Sequence, residues 1–438
     1  MNHKKALKKI LKWAGSLLLS SLFTAPVIFI LIICGVVIAL FGKSSTSSGD
    51  VSFSETVSVS ETAVAVCEFF SNAGYTDIQI GFGPLKTGVM VEIGSGRPCV
   101  MLRADIDALP IQEQTGVEFC SQSKGVSHAC GHDAHITNLL GVAKLLKKYE
   151  NSIKGRVKLL FQPAEETRVK IYEKPLSGAG YVVRSGAIDD VDAIFGMHVW
   201  GMFSKGKIYV KSGPTMMASG RFNLKVIGKG THGASPHLGC DPITTICQIV
   251  DGIQTVVSRE VSPLEPRLIT VGTIHGGTAT NVVPQEAMIS GTLRAASENV
   301  VKFMGKRLAE VSEGTAKAHR CSTEYDLLIN GPAVVNDSEM VAIVREAAAD
   351  VLGTERVCDV EMLTASEDFR EYSARRPAAL YFMGMFEPEK GVGQPQHDPG
   401  FIVNDDVLVD SVAVMTSIVF TYFNKTSENH FGQSTQTI

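Results

Sequence analysis

The sequence predicts an α/β fold in which a mostly parallel sheet is interrupted by a smaller α+β insert, with a transmembrane helix ahead of both. Three patterns point there. Short apolar runs alternate with segments of helical periodicity over most of the chain, as in a layered α/β domain. Residues 214–323 follow a different order, strand-helix-strand-strand-helix-strand, which is the ferredoxin-like arrangement. An uncharged apolar run spans residues 14–42, longer than the roughly 20 residues a helix needs to cross a bilayer. At 438 residues the chain also exceeds what one core usually serves, in keeping with two domains plus appendages.

The N-terminal segment comes first. Lys4, Lys5, Lys8, Lys9 and Lys12 precede the apolar run and Lys43 follows it. A secretory signal is the alternative, but its apolar region is normally about 7–15 residues with small residues before the cut. Around Ala39-Leu40-Phe41 there is no small-x-small site. Pro26 is tolerable inside a membrane helix. The excess of lysine on one side predicts a cytoplasmic segment 1–13, a single span at 14–42 in the cell membrane, and the remaining chain outside. A wholly cytoplasmic chain is the alternative, and the nine cysteines favour it, being odd in number and scattered. Residues 43–58 are Ser-rich and read as a tether. The formal charge of −4, with no stripe of Lys and Arg among aromatics, excludes a nucleic-acid-binding class.

The α/β pattern then begins. A helix is expected near Glu61–Ala73, where Ala63, Val66, Cys67 and Phe70 recur at helical spacing. Strands at 99–102, 157–161 and 193–197 each run into candidate functional side chains: Asp105 and Asp107, Glu165 and Glu166, and His198. An amphipathic helix carrying Leu139, Leu140, Val142, Ala143, Leu145 and Leu146 lies between the first two. Open α/β sheets place their sites beyond the carboxyl ends of the strands, so these residues are expected to converge. This first part of the domain spans 59–213. Within the insert at 214–323, Phe222, Leu224 and Val226 alternate with Arg221, Asn223 and Lys225 as in a half-buried strand. A helix from Asp241 to about Val257, strands at 268–274 and 287–294, a helix at 298–318 and a strand from Ser322 complete it. The α/β domain resumes over 324–425, with a helix at 338–351 and a strand at 379–383, and a polar tail occupies 426–438.

The chemistry is concentrated in His128-Ala129-Cys130-Gly131-His132-Asp133-Ala134-His135 and in Phe161-Gln162-Pro163-Ala164-Glu165-Glu166. Thiolate, imidazole and carboxylate are the ligand types of a borderline-soft divalent ion. Cys130 and His132 at i, i+2 can face one way from a turn, and with Glu166, His198 and one further ligand they suit a one- or two-metal site. Glu165 reads as a general base, since a glutamate that moves a proton should not itself be a tight ligand. Asp107 fits a carboxylate that orients a ligand imidazole or the base. Asp105 reads as a partner of Arg103, and His128 and His135 as structural. His397, alone in a Pro-flanked loop, reads as structural on the residues alone. His232 belongs to the insert. Asn281 and Arg294 would suit a substrate carboxylate, the arginine through a bidentate fork. A thiol hydrolase using Cys130 and His132, or a silent scaffold, are the competing classes.

Taken together, these blocks resemble the M20 metallopeptidase family, in its amidohydrolase branch of hippurate hydrolases, N-acyl-amino-acid amidohydrolases and auxin-conjugate hydrolases. The blocks are RADIDALPIQE (103–113), HACGHDAH (128–135), FQPAEE (161–166), GMHV (196–199), SGPTMMASG (212–220), GKGTHGASPH (228–237), GGTATNVVP (276–284), GTLR (291–294) and SEDF (366–369). The resemblance implies two divalent ions (Zn, Mn, Co or Ni) on Cys130, His132, Glu166, His198 and His397. It implies Glu165 as the base, Asp107 in support of the metal centre, and His232 as the oxyanion donor from the partner of a homodimer. Asn281 and Arg294 would hold the substrate, an N-acyl amino acid or small peptide whose amide is hydrolysed; dipeptidase or carboxypeptidase specificity is the alternative. The insert would serve as lid and dimerisation domain. One departure is the missing Arg-Arg-x-x-His-x-x-Pro-Glu helix with which such chains open; another is the apolar run, since this branch is mostly soluble and intracellular.

Overall fold

The computed structural model describes residues 61–82, 85–170 and 175–433. The expected basic segment, membrane span and Ser-rich tether lie outside the described residues. The chain forms two compact units, the first made of residues up to Ser212 with Asn336–Val360 and Glu371 onward, the second of Gly213–Val335 and Glu361–Arg370. In chain order the elements are α1 (Glu61–Asn72), β1 (Ile78–Phe82), β2 (Leu85–Gly94), β3 (Cys99–Asp105), α2 (His132–Lys148), β4 (Arg156–Gln162), α3 (Gly178–Arg184), β5 (Ala193–Ser204) and β6 (Ile208–Tyr209). Then follow β7 (Gly213–Met216), β8 (Ala218–Ile227), β9 (Thr231–His232), α4 (Pro242–Thr255), β10 (Arg267–Gly276), β11 (Val282–Val283), β12 (Glu286–Ala295), α5 (Glu298–Ala318) and β13 (Ser322–Gly331). The last are β14 (Val334–Asn336), α6 (Ser338–Leu352), β15 (Val357–Cys358), α7 (Arg370–Ser373), β16 (Ala378–Phe386) and α8 (Leu408–Gln433).

The first unit is built on an eight-stranded sheet in the order β1-β2-β4-β3-β5-β16-β6-β15. Its centre is parallel: β4 with β3, β3 with β5, and β5 with β16. All seven residues of β3 are buried, as expected of a strand covered on both faces. The expectation of a mostly parallel sheet holds for this centre and for the short outer β6–β15 pair. The β1–β2, β2–β4 and β16–β6 pairs are antiparallel, so the sheet is mixed. The β1–β2 pair could not be otherwise, because Phe82 and Leu85, with only two residues between them in the chain, are already partners, and a parallel pair needs a crossover of a dozen or more residues. Leu102, Leu159 and Phe195 pack with Phe70, Leu139, Val142, Val344, Ile418 and Phe423 in one core, each such side chain contributing about 1.5–3 kcal/mol.

The C-terminal helix α8 was not foreseen in the sequence, and it runs through Gln433, where a polar tail from 426 was expected. By length and composition Asp405–Ser427 could cross a membrane, but 67% of that window is buried inside the protein. Val414, Ile418 and Val419 belong to the core, which marks it as a core helix.

In the second unit four antiparallel strands lie in the order β10-β12-β8-β13. Phe222, Leu224, Val226, Ile289 and Leu293 cluster with Ile246, Ile249 and Ile253 of α4 and Val301, Met304 and Leu308 of α5. The helices start where their caps dictate. Asp241 accepts from the Ile243 and Thr244 amides with Pro242 next in line, and Ser297 accepts from the Val300 amide.

Candidate metal centre

The parallel strands β3, β4 and β5 run toward one end of the first unit's sheet, and that end gathers the donor side chains; β3 and β4 stop there, while β5 carries His198 within it and continues to Ser204, beyond the strand expected at 193–197. Cys130 and His132 flank Gly131, which caps α2 in a left-handed conformation (φ 87°). A Cβ at Gly131 would overlap the Val199 side chain, so glycine is required both for the turn and for the approach to β5. The turn sets the Cys130 Sγ 3.5 Å from His198 Nε2. Asp107, just past β3, receives the Glu166 amide at 3.0 Å on Oδ2, and its backbone carbonyl accepts from His132 Nδ1 at 2.9 Å. The second glutamate is thereby tied to the end of β3. His397 Nε2 lies 2.9 Å from Glu166 Oε1. The backbone of His397 is left-handed (φ 68°), and its amide donates to the Ala129 carbonyl at 2.7 Å, bringing a residue far along the chain beside Cys130.

Both buried imidazoles are oriented the same way. His132 gives its Nδ1 proton to Asp107, and His198 gives its Nδ1 proton to the Val199 carbonyl at 2.6 Å. Each therefore turns its Nε2 inward. His132 Nε2 is buried and has no hydrogen-bond partner. Donor atoms of Cys130, His132 and His198 lie within 4.8 Å of one another, as do those of Cys130, Glu166 and His397, and those of His132, Glu165 and Glu166. The first two sets share one sulfur.

The electrostatics favour positive charge at His132 but not at His198. Burial opposes a proton on His132, yet Asp105, Cys130 and Asp107 overcome it and raise the imidazole well above its usual range. Burial likewise opposes the charge on Asp105 and Asp107, but Arg103, His132 and His135 hold the former well below the ordinary carboxylate range, and His132 with the Glu166 amide lowers the latter. His198 is pushed well below its usual value by burial and by His135. Burial drives the Cys130 thiol up to about 12, so a thiolate there needs a strong cation beside it. An unpartnered buried nitrogen, a shared sulfur and adjacent carboxylates fit divalent ions of the Zn class.

The first unit therefore brings together Cys130, His132, Glu166, His198, His397, Glu165 and Asp107. His232, Asn281 and Arg294 belong to the second unit. There β9 pairs with β11 so that His232 faces Val282, and the Asn281 carbonyl accepts from the Gly233 amide at 2.7 Å. His232 Nδ1 accepts from the Ala234 amide at 3.0 Å, which leaves its proton on Nε2. Arg294 donates to the Thr364 carbonyl at 3.0 Å. His135, read as structural in the sequence, bonds Asp105 and the Val199 amide beside His198. Its signal was present: Arg103 and Asp105 stand in a strand buried on both faces, where charges require partners.

A layered α/β unit whose strand ends carry two thiolate-sharing donor sets, with a second glutamate alongside, defines a metal-binding hydrolase. The comparisons agree on the class, a metallohydrolase acting on carbon–nitrogen bonds. The chain belongs to Peptidase family M20/M25/M40, whose profile matches residues 101–421. It is 38% identical over 334 residues to N-acetyl-L-cysteine deacetylase of Bacillus subtilis (strain 168), covering 76% of this chain and 77% of that protein. It is 37% identical over 341 residues to IAA-amino acid hydrolase ILR1-like 4 of Arabidopsis thaliana, covering 77% and 76%. Among solved structures it is similar to the Bacillus subtilis YXEP protein, a dinuclear metal binding peptidase from the M20 family, with a TM-score of 0.69, 31% identity, and 83% and 92% of the two chains covered.

Proposed function

We propose that this chain hydrolyses the amide bond of N-acyl amino acids with the help of two divalent ions that Cys130, His132, Glu166, His198 and His397 would hold. The observation that carries this reading is the pair of donor sets meeting at one buried sulfur, with Glu165 beside His132 and Glu166. When bound, such ions polarise an amide carbonyl and acidify a water. Glu165 takes the proton of the attacking water and returns it to the leaving nitrogen. Asp107 holds His132 and the Glu166 backbone in register. His232 of a second copy in a homodimer, with its proton on Nε2, would be the donor to the developing oxyanion, and Asn281 and Arg294 would hold the substrate carboxylate. The relatives named N-acetyl-L-cysteine deacetylase and IAA-amino acid hydrolase support the substrate class, while the structural relative, a peptidase, keeps small peptides as the second reading.

The homodimer, the membrane anchor at 14–42 and an outward-facing active unit are part of the same proposal and rest on the sequence. The decisive experiment is Glu165→Ala with metal content measured beside turnover of N-acetyl, N-benzoyl and dipeptide substrates. Metal is expected to stay and turnover to fall by about 10²–10⁴. Full turnover in the variant would mean that the base is elsewhere.

A further inference from the structure

A second polar cluster adjoins the donor sets and has no role in the chemistry above. Arg103, Asp105 and His135 are at most 2% exposed. Arg103 donates from Nη1 to Asp105 Oδ2 at 2.7 Å and from Nε to Gln162 Oε1 at 2.9 Å, where the Tyr372 hydroxyl also donates at 2.8 Å. Asp105 Oδ1 faces His135 Nδ1 in a short hydrogen bond. His135 Nε2 is 2.9 Å from the Val199 amide nitrogen. A backbone N–H can only donate, so His135 Nε2 carries no proton and the ring's single proton sits on Nδ1, given to Asp105. The direction of every bond from Arg103 to Val199 is thus fixed.

That chain ends one residue from a candidate ligand. Val199 is gripped at both polar groups: its N–H by His135, its carbonyl by His198 Nδ1 at 2.6 Å and by Gln396 Nε2 at 3.0 Å. The His135 ring also stands edge-on to His198, centroids 4.6 Å apart at 71°. Desolvating an ion pair costs several kcal/mol per ion even after relaxation, and apolar side chains would fill a buried strand more stably. An arrangement kept against that cost, and aimed at one peptide group, acts on what the peptide carries.

We infer that Arg103, Asp105 and His135 are positioning residues that lock the His198 imidazole in place and so set the cation affinity of the Cys130–His132–His198 donor set. The inference rests on the two-ion reading. Outer partners of ligating imidazoles typically govern metal affinity by about 10–100-fold.

The test titrates metal-stripped full-length protein with Zn²⁺ against a chromophoric chelator, and records the visible bands of the Co²⁺-substituted form. His135→Phe keeps the ring volume and removes both nitrogens; His135→Gln keeps an acceptor for the Val199 amide. In His135→Phe one equivalent is expected to bind about 10–100-fold more weakly with altered Co²⁺ bands, while the other stays within a few-fold of wild type. His135→Gln should recover much of the loss. Should His135→Phe fail to melt cooperatively, Asp105→Asn takes its place with the same expectation. Two equivalents bound at wild-type affinity with unchanged bands would overturn the inference, and so would equal weakening of both, which would place the effect on the fold. Wild-type protein that binds no ion would instead overturn the two-ion reading.

Discussion

Gly178→Ala offers a stringent test of how the glutamate pair is held. Gly178 opens α3, and its amide donates to the Ala164 carbonyl at 2.8 Å. A Cβ added there would overlap the Pro163 carbonyl oxygen and stand 3.2 Å from that of Ala164. Ordinary carbon–oxygen contact is about 3.3 Å or more, so the helix or the Pro163–Glu166 turn must move by more than about 1 Å. The turn has little freedom to yield, because Ala164 already sits at φ 55°, a left-handed conformation that costs an alanine roughly 1–2 kcal/mol. Overpacking of this kind destabilises by about 1–3 kcal/mol, and a shift of about 1 Å beside the chemistry costs on the order of 10² in rate. The expected result is a lower denaturant midpoint and a roughly 100-fold loss of kcat/KM at saturating metal. Gly180→Ala is the control, since its Cβ would meet Leu176 Cβ at 3.3 Å and other atoms only at 3.7 Å; it should keep near-wild-type turnover. If Gly178→Ala stays within about threefold of wild type, close approach by α3 is not what places Glu165 and Glu166.

Three further outcomes are expected. Chelation should abolish turnover and lower the melting temperature, and added Zn, Mn, Co or Ni should reverse both; free ion at 100 times its Kd stabilises by about 2.7 kcal/mol. Asn336→Ala should destabilise by about 3 kcal/mol in urea titration, because the buried amide bridges the Lys211 and Leu380 carbonyls and the Leu380 amide, groups left unpaired without it. Burial raises the Asp190 carboxyl, but Lys158 and Arg156 outweigh it and hold its pKa below the ordinary value. The native state then binds fewer protons than the unfolded one, so this contribution is full above the unfolded pKa of about 3.9 and is lost as pH falls through the lowered value. Asp190→Asn should flatten the acid limb of a stability–pH curve, and an unchanged limb would show that the pair contributes nothing.

Local pattern made parts of this protein readable. The strand alternation of Phe222, Leu224 and Val226, with helical stretches from Asp241 and from Glu298, gives the βαββαβ order of the second unit because each signal spans only a few residues. Strand direction at the sheet margins was not readable, since it depends on which strand lies alongside, as with β2 against β4. Among the donors, Cys130, His132, Glu165 and Glu166 sit at or just beyond strand or helix ends that periodicity locates, whereas His198, expected at the end of a strand at 193–197, lies within β5, which continues to Ser204. His397 does not: its left-handed backbone and its bond to Ala129 exist only once the chain has closed. Arg103, Asp105 and His135 form the opposite case. Two charges inside an apolar run demanded partners, but nothing local told that one would be an imidazole on the following helix.

The ties among the donors have a common logic. Each donor segment is pinned through a backbone group to another: Glu166 through its amide to Asp107, His132 to the Asp107 carbonyl, and His397 through its amide to Ala129. Segments from residue 107 to residue 397 are therefore set in place by bonds that do not involve the inward-facing sulfur, nitrogens and oxygens. Ordering side chains on binding costs roughly 0.5–1.5 kcal/mol for each one immobilised, and here the fold has met that cost before a cation arrives. Some inward atoms pair with each other, as Cys130 Sγ does with His198 Nε2 and Glu166 Oε1 with His397 Nε2, but His132 Nε2 is buried and unpaired, and a cation would satisfy it together with the neighbouring sulfur and carboxylates. Cutting one tie should consequently lower cation affinity while leaving the sheet intact, whereas removing a core side chain such as Phe195 should lower both together.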